Sequence, residues 1–327
     1  MDILVNVLLF VVGFAAIVKG ADWLTDGAAN IAKRFGIPTI VVGLTIVAMG
    51  SSMPEFVVSV TAAIKGNSDI ALGNVVGSNI FNILGIMGIT ALVSPIKVDK
   101  CNIRYDVPFV IFAAAAVLIT IFDNYIDGAG CTNQISRSDG LMLLCVFIVF
   151  MVYTLSLAGK QSSSDALTDE QKAALPPMWR CSLLVVIGLV LLIFGGDFIV
   201  NGASGIASDL GVSDAVIALT IVSAGTSAPE LAASVMAAKK GDTAMALGNI
   251  VGSNVFNVFF ILGASAVIRP ISACGVKPFD IYALLASAVL LWLLCKFGKT
   301  YYTLTRAEGL LLIVLAVAYY VCCVTLG

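Results

Sequence analysis

The chain reads as an all-α integral membrane protein: ten transmembrane helices forming two inverted five-helix repeats, with broken helices in spans 2 and 7. Three observations predict this. Of the 327 residues, 60% are apolar and only 12% charged, a balance suited to lipid rather than water as the solvent. Ten windows are each apolar over the length, about 20 residues, that a helix needs to cross a bilayer. The sequence also matches itself: a shift of 175 residues, from Gly20 to Gly195, aligns 20–96 with 195–271 without a gap, and roughly half the paired positions are identical.

In chain order the windows fall at roughly 3–24, 37–64, 69–94, 106–124 and 139–158, then 181–201, 212–239, 244–269, 277–296 and 307–326. The first follows Asp2 with no basic residue before it and no convincing small-residue cleavage site, so it is a retained helix rather than a secretory signal. Residues 1–158 form the first five-helix repeat and 181–327 the second. Because each repeat has an odd number of spans, the second enters the membrane the other way up, and such inverted repeats place a substrate site near the midplane where the halves meet. Between them, 159–180 is a cytoplasmic linker that includes the polar stretch KQSSSDALTDEQKAALPP, with room for a short surface helix capped near Thr168.

Basic residues orient the chain. With both termini outside, 14 of the 18 Lys and Arg fall on the cytoplasmic side, leaving Lys65, Arg137, Arg269 and Lys277 outside. The eight cysteines show no CxxC spacing and read as packing residues. Histidine is absent, which disfavours zinc chemistry and histidine-based hydrolysis. The net charge of −2 and the lack of a basic cluster give no sign of a nucleic-acid partner. The partners expected are the bilayer and inorganic cations, with no cofactor.

Glu55 and Glu230 occupy equivalent places in the two repeats, inside apolar stretches where an unpaired carboxylate costs several kcal/mol. One such Glu is explained by a protonated acid bonded to a neighbouring helix. Two related by a pseudo-dyad carry a combined charge that matches a divalent cation. Pro54 and Pro229 precede them, lack an amide hydrogen, and are expected to push Met53 and Ala228 out of helical geometry. Gly50 and Gly225 loosen the same turn. Carbonyls released there are hard oxygen ligands, from Ala48, Ser51, Ser223 and Thr226, and the hydroxyls of Ser51, Ser52, Thr226 and Ser227 add more. Calcium, which takes six to eight oxygens, suits such a set; the hydroxyls would also re-satisfy backbone around a proline kink.

A second motif spaces Asn74, Ser78 and Asn82, and again Asn249, Ser253 and Asn257, four residues apart along one helix face. Ser78, Asn82, Ser253 and Asn257 are the expected site-lining groups, with interhelical hydrogen bonding as the alternative. Gly73 with Gly77, and Gly248 with Gly252, form a GxxxG that allows close helix approach. Asp22 and Asp197 also match across the repeat and suit either helix packing or an ion path.

GSSMPE with GNVVGSNIFN, and GTSAPE with GNIVGSNVFN, resemble the paired alpha repeats of the cation/calcium exchanger superfamily, in its prokaryotic sodium/calcium exchanger branch. The motifs here span 43–85 and 218–260. The resemblance implies calcium binding by Glu55 and Glu230 with the carbonyls of Ser51 and Thr226. It implies sodium sites involving the same two Glu with Ala48, Ser52, Ser78, Ser223, Ser227 and Ser253. It also implies that spans 1 and 6 slide past the remaining helices to switch access. Some relatives carry an acid where this chain has Asn257; neutral Asn82 and Asn257 argue against potassium dependence, and the second motif lacks the further acid of proton-coupled exchangers. The expected function is therefore electrogenic sodium/calcium antiport by alternating access in a plasma membrane, with a prokaryotic inner membrane as the expected location. A proton/calcium antiporter is the rival; an intramembrane enzyme using the Glu pair and a passive channel are further from the pattern.

Overall fold

Apolar windows become helices because a backbone away from water must satisfy its own polar groups. The computed structural model describes residues 3–122, 128, 133–161, 175–209, 223–272, 276–298 and 300–326. Helix α1 (Ile3–Phe35) is followed by α2 (Thr39–Ser51) and α3 (Met53–Lys65), which meet at a bend of 50°. Then come α4 (Ser68–Val93), α5 (Lys100–Arg104), α6 (Asp106–Ile121) and α7 (Arg137–Gln161). The second repeat supplies α8 (Met178–Asp209), α9 (Ser223–Thr226), α10 (Ala228–Lys239), α11 (Thr243–Ile268), α12 (Pro278–Phe297) and α13 (Arg306–Leu326). Among the described residues eight helices are long and apolar enough to cross a membrane, or nine if α2 and α3 count as one broken span. The first part of the expected window 212–239 and the linker around Thr168 lie outside the described residues.

The chain packs as two compact units, each drawing on both repeats. The first comprises 1–54 with 154–249, and the second 55–153 with 250–327.

In the first unit, α1 extends beyond its expected end to Phe35, where Gly36 turns with φ of 64° and Pro38 follows. Its 33 residues span about 50 Å, well beyond a 30 Å hydrocarbon core. It packs along α8, its repeat equivalent, through glycines spaced by seven residues. A Cβ on Gly13 would lie 2.7 Å from the Gly195 carbonyl, one on Gly20 2.8 Å from the Gly188 carbonyl, and one on Gly27 2.7 Å from the Cys181 carbonyl. As the number rises on α1 it falls on α8, so the equivalent helices run antiparallel, as an inverted repeat requires. Backbones this close leave no room for side chains, and the attraction is van der Waals packing. Small residues continue the theme: Ala21, Ala28 and Ala32 share a buried cluster with Ala233, Ala237 and Ala238 of α10. At the polar end, Lys240 Nζ reaches Asp22 at 2.7 Å and Asp26 at 2.8 Å and donates to Thr25 Oγ1 at 3.0 Å. Asp22 thus serves helix packing.

In the second unit α4 packs against α13, and α6 against α12. Two short antiparallel ladders tie the connections: β1 (Ile96–Lys97) with β4 (Thr303–Leu304), and β2 (Gln134–Ile135) with β3 (Ile271–Ser272). Ile96 and Ile271 are repeat equivalents and both pair, so the duplication extends into these ladders. Polarity is inverted relative to a water-soluble protein: Leu4 is 76% exposed and Val149 62%, whereas Glu55 is 0% exposed. Apolar side chains face the solvent because that solvent is lipid.

Replacing Gly20 or Gly195 by Leu drives a side chain into opposing backbone and is expected to cost about 1–3 kcal/mol, the usual range for overpacking. Thermal unfolding of the detergent-solubilised protein measures this, with Leu4→Ala as the control that leaves the midpoint unchanged.

Candidate cation site

The broken spans are built alike. Ser52 closes α2 with φ −82° and ψ 12°, and Ser227 precedes α10 with φ −89° and ψ 8°. Both lie in the sparsely allowed bridge region. The expected displacement of Met53 and Ala228 is corrected: both are helical, and the break falls one residue earlier. Each proline then occupies the second position of a new helix, where a missing N–H costs nothing because first-turn donors have no helical acceptor. Glu55 and Glu230 enter on the first turn of these new helices, close to the positive end of the helix dipole.

In the first unit, Glu230 is 1% exposed, and Ser52 Oγ donates to its Oε1 at 2.6 Å. The break of one repeat thereby meets the carboxylate of the other. Asn249 Nδ2 donates to the Glu230 carbonyl at 3.2 Å and to Ser234 Oγ at 2.8 Å. Ser51 Oγ donates to Asn249 Oδ1 at 3.2 Å and to the Ala48 carbonyl at 3.3 Å. Ala48, Ser51, Ser52 and Ser227 are fully buried. Gly50 lies against the Leu189 side chain and Gly225 against Val200, both on α8. Ser223 opens α9 and Thr226 closes it.

The second unit repeats the arrangement. Asn74 Nδ2 donates to the Glu55 carbonyl at 3.2 Å and to Ser59 Oγ at 2.9 Å. Ser78, Asn82, Ser253 and Asn257 are all buried. Asn79 Nδ2 donates to the Asn254 carbonyl at 3.2 Å, and Asn257 Nδ2 donates to Asn79 Oδ1 at 3.0 Å. Asn79 and Asn254 are repeat equivalents, so corresponding residues meet each other, as a two-fold axis produces. Part of the second motif is therefore interhelical glue, and Asn257 uses its amide nitrogen for it. Gly248 is packed against the Ile40 carbonyl, whereas Gly73 has no described atom near the position of a Cβ.

What remains without a partner is informative. Among the described residues, no hydrogen bond reaches Glu230 Oε2, Ser253 Oγ, Asn257 Oδ1 or either polar atom of the Asn82 side chain. Buried polar atoms are normally satisfied; these exceptions lie on residues the sequence singled out, and others, such as Thr90 Oγ1 and Ser265 Oγ, lie elsewhere. No group of three or more His, Cys, Asp and Glu side chains is placed to hold a metal among the described residues.

Sequence reasoning missed three features. Ser59 and Ser234, four residues after each Glu, anchor the asparagines; their recurrence at the same shift was the available signal. Asn74 and Asn249 hold the Glu backbone rather than merely lining a face. Wide helical turns of the π type span Phe81–Ile86 and Phe256–Leu262, placing Asn82 and Asn257 in equivalent widened turns. Such turns are frequent at functional sites, and no residue pattern announced them.

The sequence pattern of the family described as sodium/calcium exchanger protein matches residues 5–156 and 182–325. A protein of Alkalimonas amylolytica, provisionally assigned as the antiporter CaxA, is 37% identical over 97% of this chain and 98% of its own length. Sodium/calcium exchanger MaX1 of Methanosarcina acetivorans is 32% identical over 98% of each chain. Among solved structures, the sodium-calcium exchanger NCX_Mj soaked with 10 mM Na+ and zero Ca2+ superposes with a TM-score of 0.82 at 31% identity, covering 99% of this chain and 100% of that one.

Replacing Asn74 or Asn249 by Leu leaves a buried carbonyl and a buried hydroxyl unpaired. Each is expected to lower stability by about 1–3 kcal/mol, by similar amounts in the two repeats. Detergent unfolding tests this; a silent substitution at either position contradicts the matched roles.

Proposed function

The chain belongs to the sodium/calcium exchanger protein family, and from that premise we propose that it exchanges sodium for calcium by alternating access, with Glu55 and Glu230 serving the same ion. It is a multi-pass membrane antiporter and not an enzyme, and the transported ions require no cofactor. The observation that carries the reading is the buried Glu230 carboxylate, held on one oxygen by Ser52 and without a described partner on the other. A second carboxylate sits at the equivalent position, with its backbone held by the same Asn–Ser pair.

In this reading calcium takes both carboxylates and the carbonyls of Ser51 and Thr226. Sodium uses Ala48, Ser52, Ser78, Ser223, Ser227 and Ser253 with the same Glu pair, so the two ions compete. Asn82 and Asn257 line the site as neutral groups. With both acids ionised, one calcium leaves the cluster neutral while about three sodium ions leave it near +1, so exchange is electrogenic and responds to voltage. The absence of a third acid at Asn82 and Asn257 supports independence from potassium. The glycine seam between α1 and α8 supports their moving together when access switches. The distribution of Lys and Arg favours outside termini, and the prokaryotic relatives favour a prokaryotic plasma membrane.

Uptake of calcium-45 into proteoliposomes loaded with sodium, potassium or choline tests this. Wild-type uptake is expected with internal sodium alone, unchanged by added potassium, and reduced at least tenfold by Glu55→Gln or Glu230→Gln. Uptake driven by a pH gradient and indifferent to sodium would replace the reading with proton coupling.

A further inference from the structure

Two cavities on the second unit share a wall and differ in character. One, of about 450 Å³, is lined by Lys100 and Arg104 of α5, Trp292 and Lys296 of α12, and Tyr302. The other, of about 560 Å³, runs between α6 and α7 past Phe109, Phe112, Met142, Val146 and Val149. Arg104 and Pro108 line both. A basic pocket therefore adjoins an apolar groove.

The basic pocket is built rather than incidental. Trp292 Nε1 donates to the Ile103 carbonyl at 3.1 Å, fixing α12 to α5. Lys296 Nζ lies 4.4 Å from the centre of the Trp292 ring, and Lys100 Nζ 5.7 Å from that of Tyr302. Tyr302 is the one described non-glycine residue with positive φ, at 61°, and its carbonyl accepts from Val98 N at 2.9 Å. A strained turn thus presents its ring. No carboxylate lines the pocket, and among the described residues none of the three cations has a salt bridge within 4.0 Å.

Three unmatched cations in one concavity attract an anion, and a guanidinium beside two ammonium groups suits phosphate oxygens. The groove adds a second requirement. It follows membrane-spanning helices, with Phe112 48% and Val149 62% exposed on the lipid-facing surface. A soluble phosphate has no use for such a surface. We propose that the second unit carries a binding site for one anionic phospholipid, its phosphate head held by Lys100, Arg104 and Lys296 and one acyl chain lying in the groove between α6 and α7. Basic pockets between transmembrane helices suit such head groups, and the site lies on the side that the Lys and Arg distribution assigns to the cytoplasm. A zwitterionic lipid brings its own cation to the pocket and is disfavoured. None of the residues lining it belongs to the proposed cation site.

The test uses the full-length protein in mild detergent, with bound lipid counted by native mass spectrometry during titration with phosphatidylglycerol, phosphatidylcholine or glycerol 3-phosphate. Phosphatidylglycerol is expected to be retained roughly tenfold or more over phosphatidylcholine, given about 1 kcal/mol for each nearby basic residue. The triple variant Lys100→Gln, Arg104→Gln, Lys296→Gln is expected to lose that preference. Val146→Trp, which fills the groove and leaves the cations in place, is expected to weaken the lipid severalfold. Each variant is checked for an unchanged unfolding midpoint, and Arg104→Gln alone replaces the triple variant should that fail to fold. Equal retention of the two lipids, or an undiminished preference in the charge variants, would overturn the site. Glycerol 3-phosphate binding as tightly as phosphatidylglycerol would overturn the lipid as its occupant.

Discussion

A carboxylate buried in a protein dissolved in lipid must be met by charge or by directed hydrogen bonds, and the surroundings of Glu230 follow from that requirement. Removing a charge from water costs several kcal/mol even after relaxation. The chain meets part of this by placing the acid on the first turn of a helix and donating the hydroxyl of Ser52 to it. Asn249 fixes the backbone of the same residue and Ser234 fixes Asn249. Oε2 has no hydrogen-bond partner among the described residues, which is why the proposed function places a cation there. Because Glu55 carries the equivalent backbone support, one solution to one electrostatic problem has been used twice.

The ligand set proposed for the cation is mostly neutral, and that bears on release. A third fixed negative charge would hold any divalent ion more strongly and let it go less readily. Hydroxyls, carbonyls and amides are weaker ligands, and a transporter must release what it binds. Ser78, Ser253, Asn82 and Asn257 are buried polar groups of this sort, two of them on widened helical turns.

Much of this was legible from residue order, for identifiable physical reasons. Glu55, Glu230 and their prolines stood out because a charge and a missing amide are both costly inside an apolar helix, and the repeat doubled the signal. The position of the break was misjudged by one residue because Pro54 and Pro229 fit the start of a new helix better than they distort an old one. The seam of Gly13, Gly20 and Gly27 against Gly188, Gly195 and Gly202 was present at regular spacing, but single glycines in apolar helices carry little signal until a neighbouring backbone is placed against them. The Lys240 link to Asp22 and Asp26 joins residues far apart in sequence, and nothing local announces it. It ties one end of α1 to α10, the helix that bears Glu230. Partly exposed pairs of this kind contribute about 0.2–1 kcal/mol each, weak enough to part in the sliding of α1 that the proposed mechanism requires. The repeat equivalents of Asp26 and Lys19 are Asn201 and Phe194, so the two repeats do not carry the same set of charges here.

Competition between the two ions for one pair of carboxylates is the central claim, and equilibrium calcium binding to the purified protein at a series of sodium concentrations tests it most directly. If Glu55 and Glu230 serve both ions, the apparent calcium Kd rises with sodium more steeply than first power, while the number of calcium ions bound at saturation stays constant. A calcium Kd indifferent to sodium would show that the ions occupy separate sites and would contradict the shared cluster.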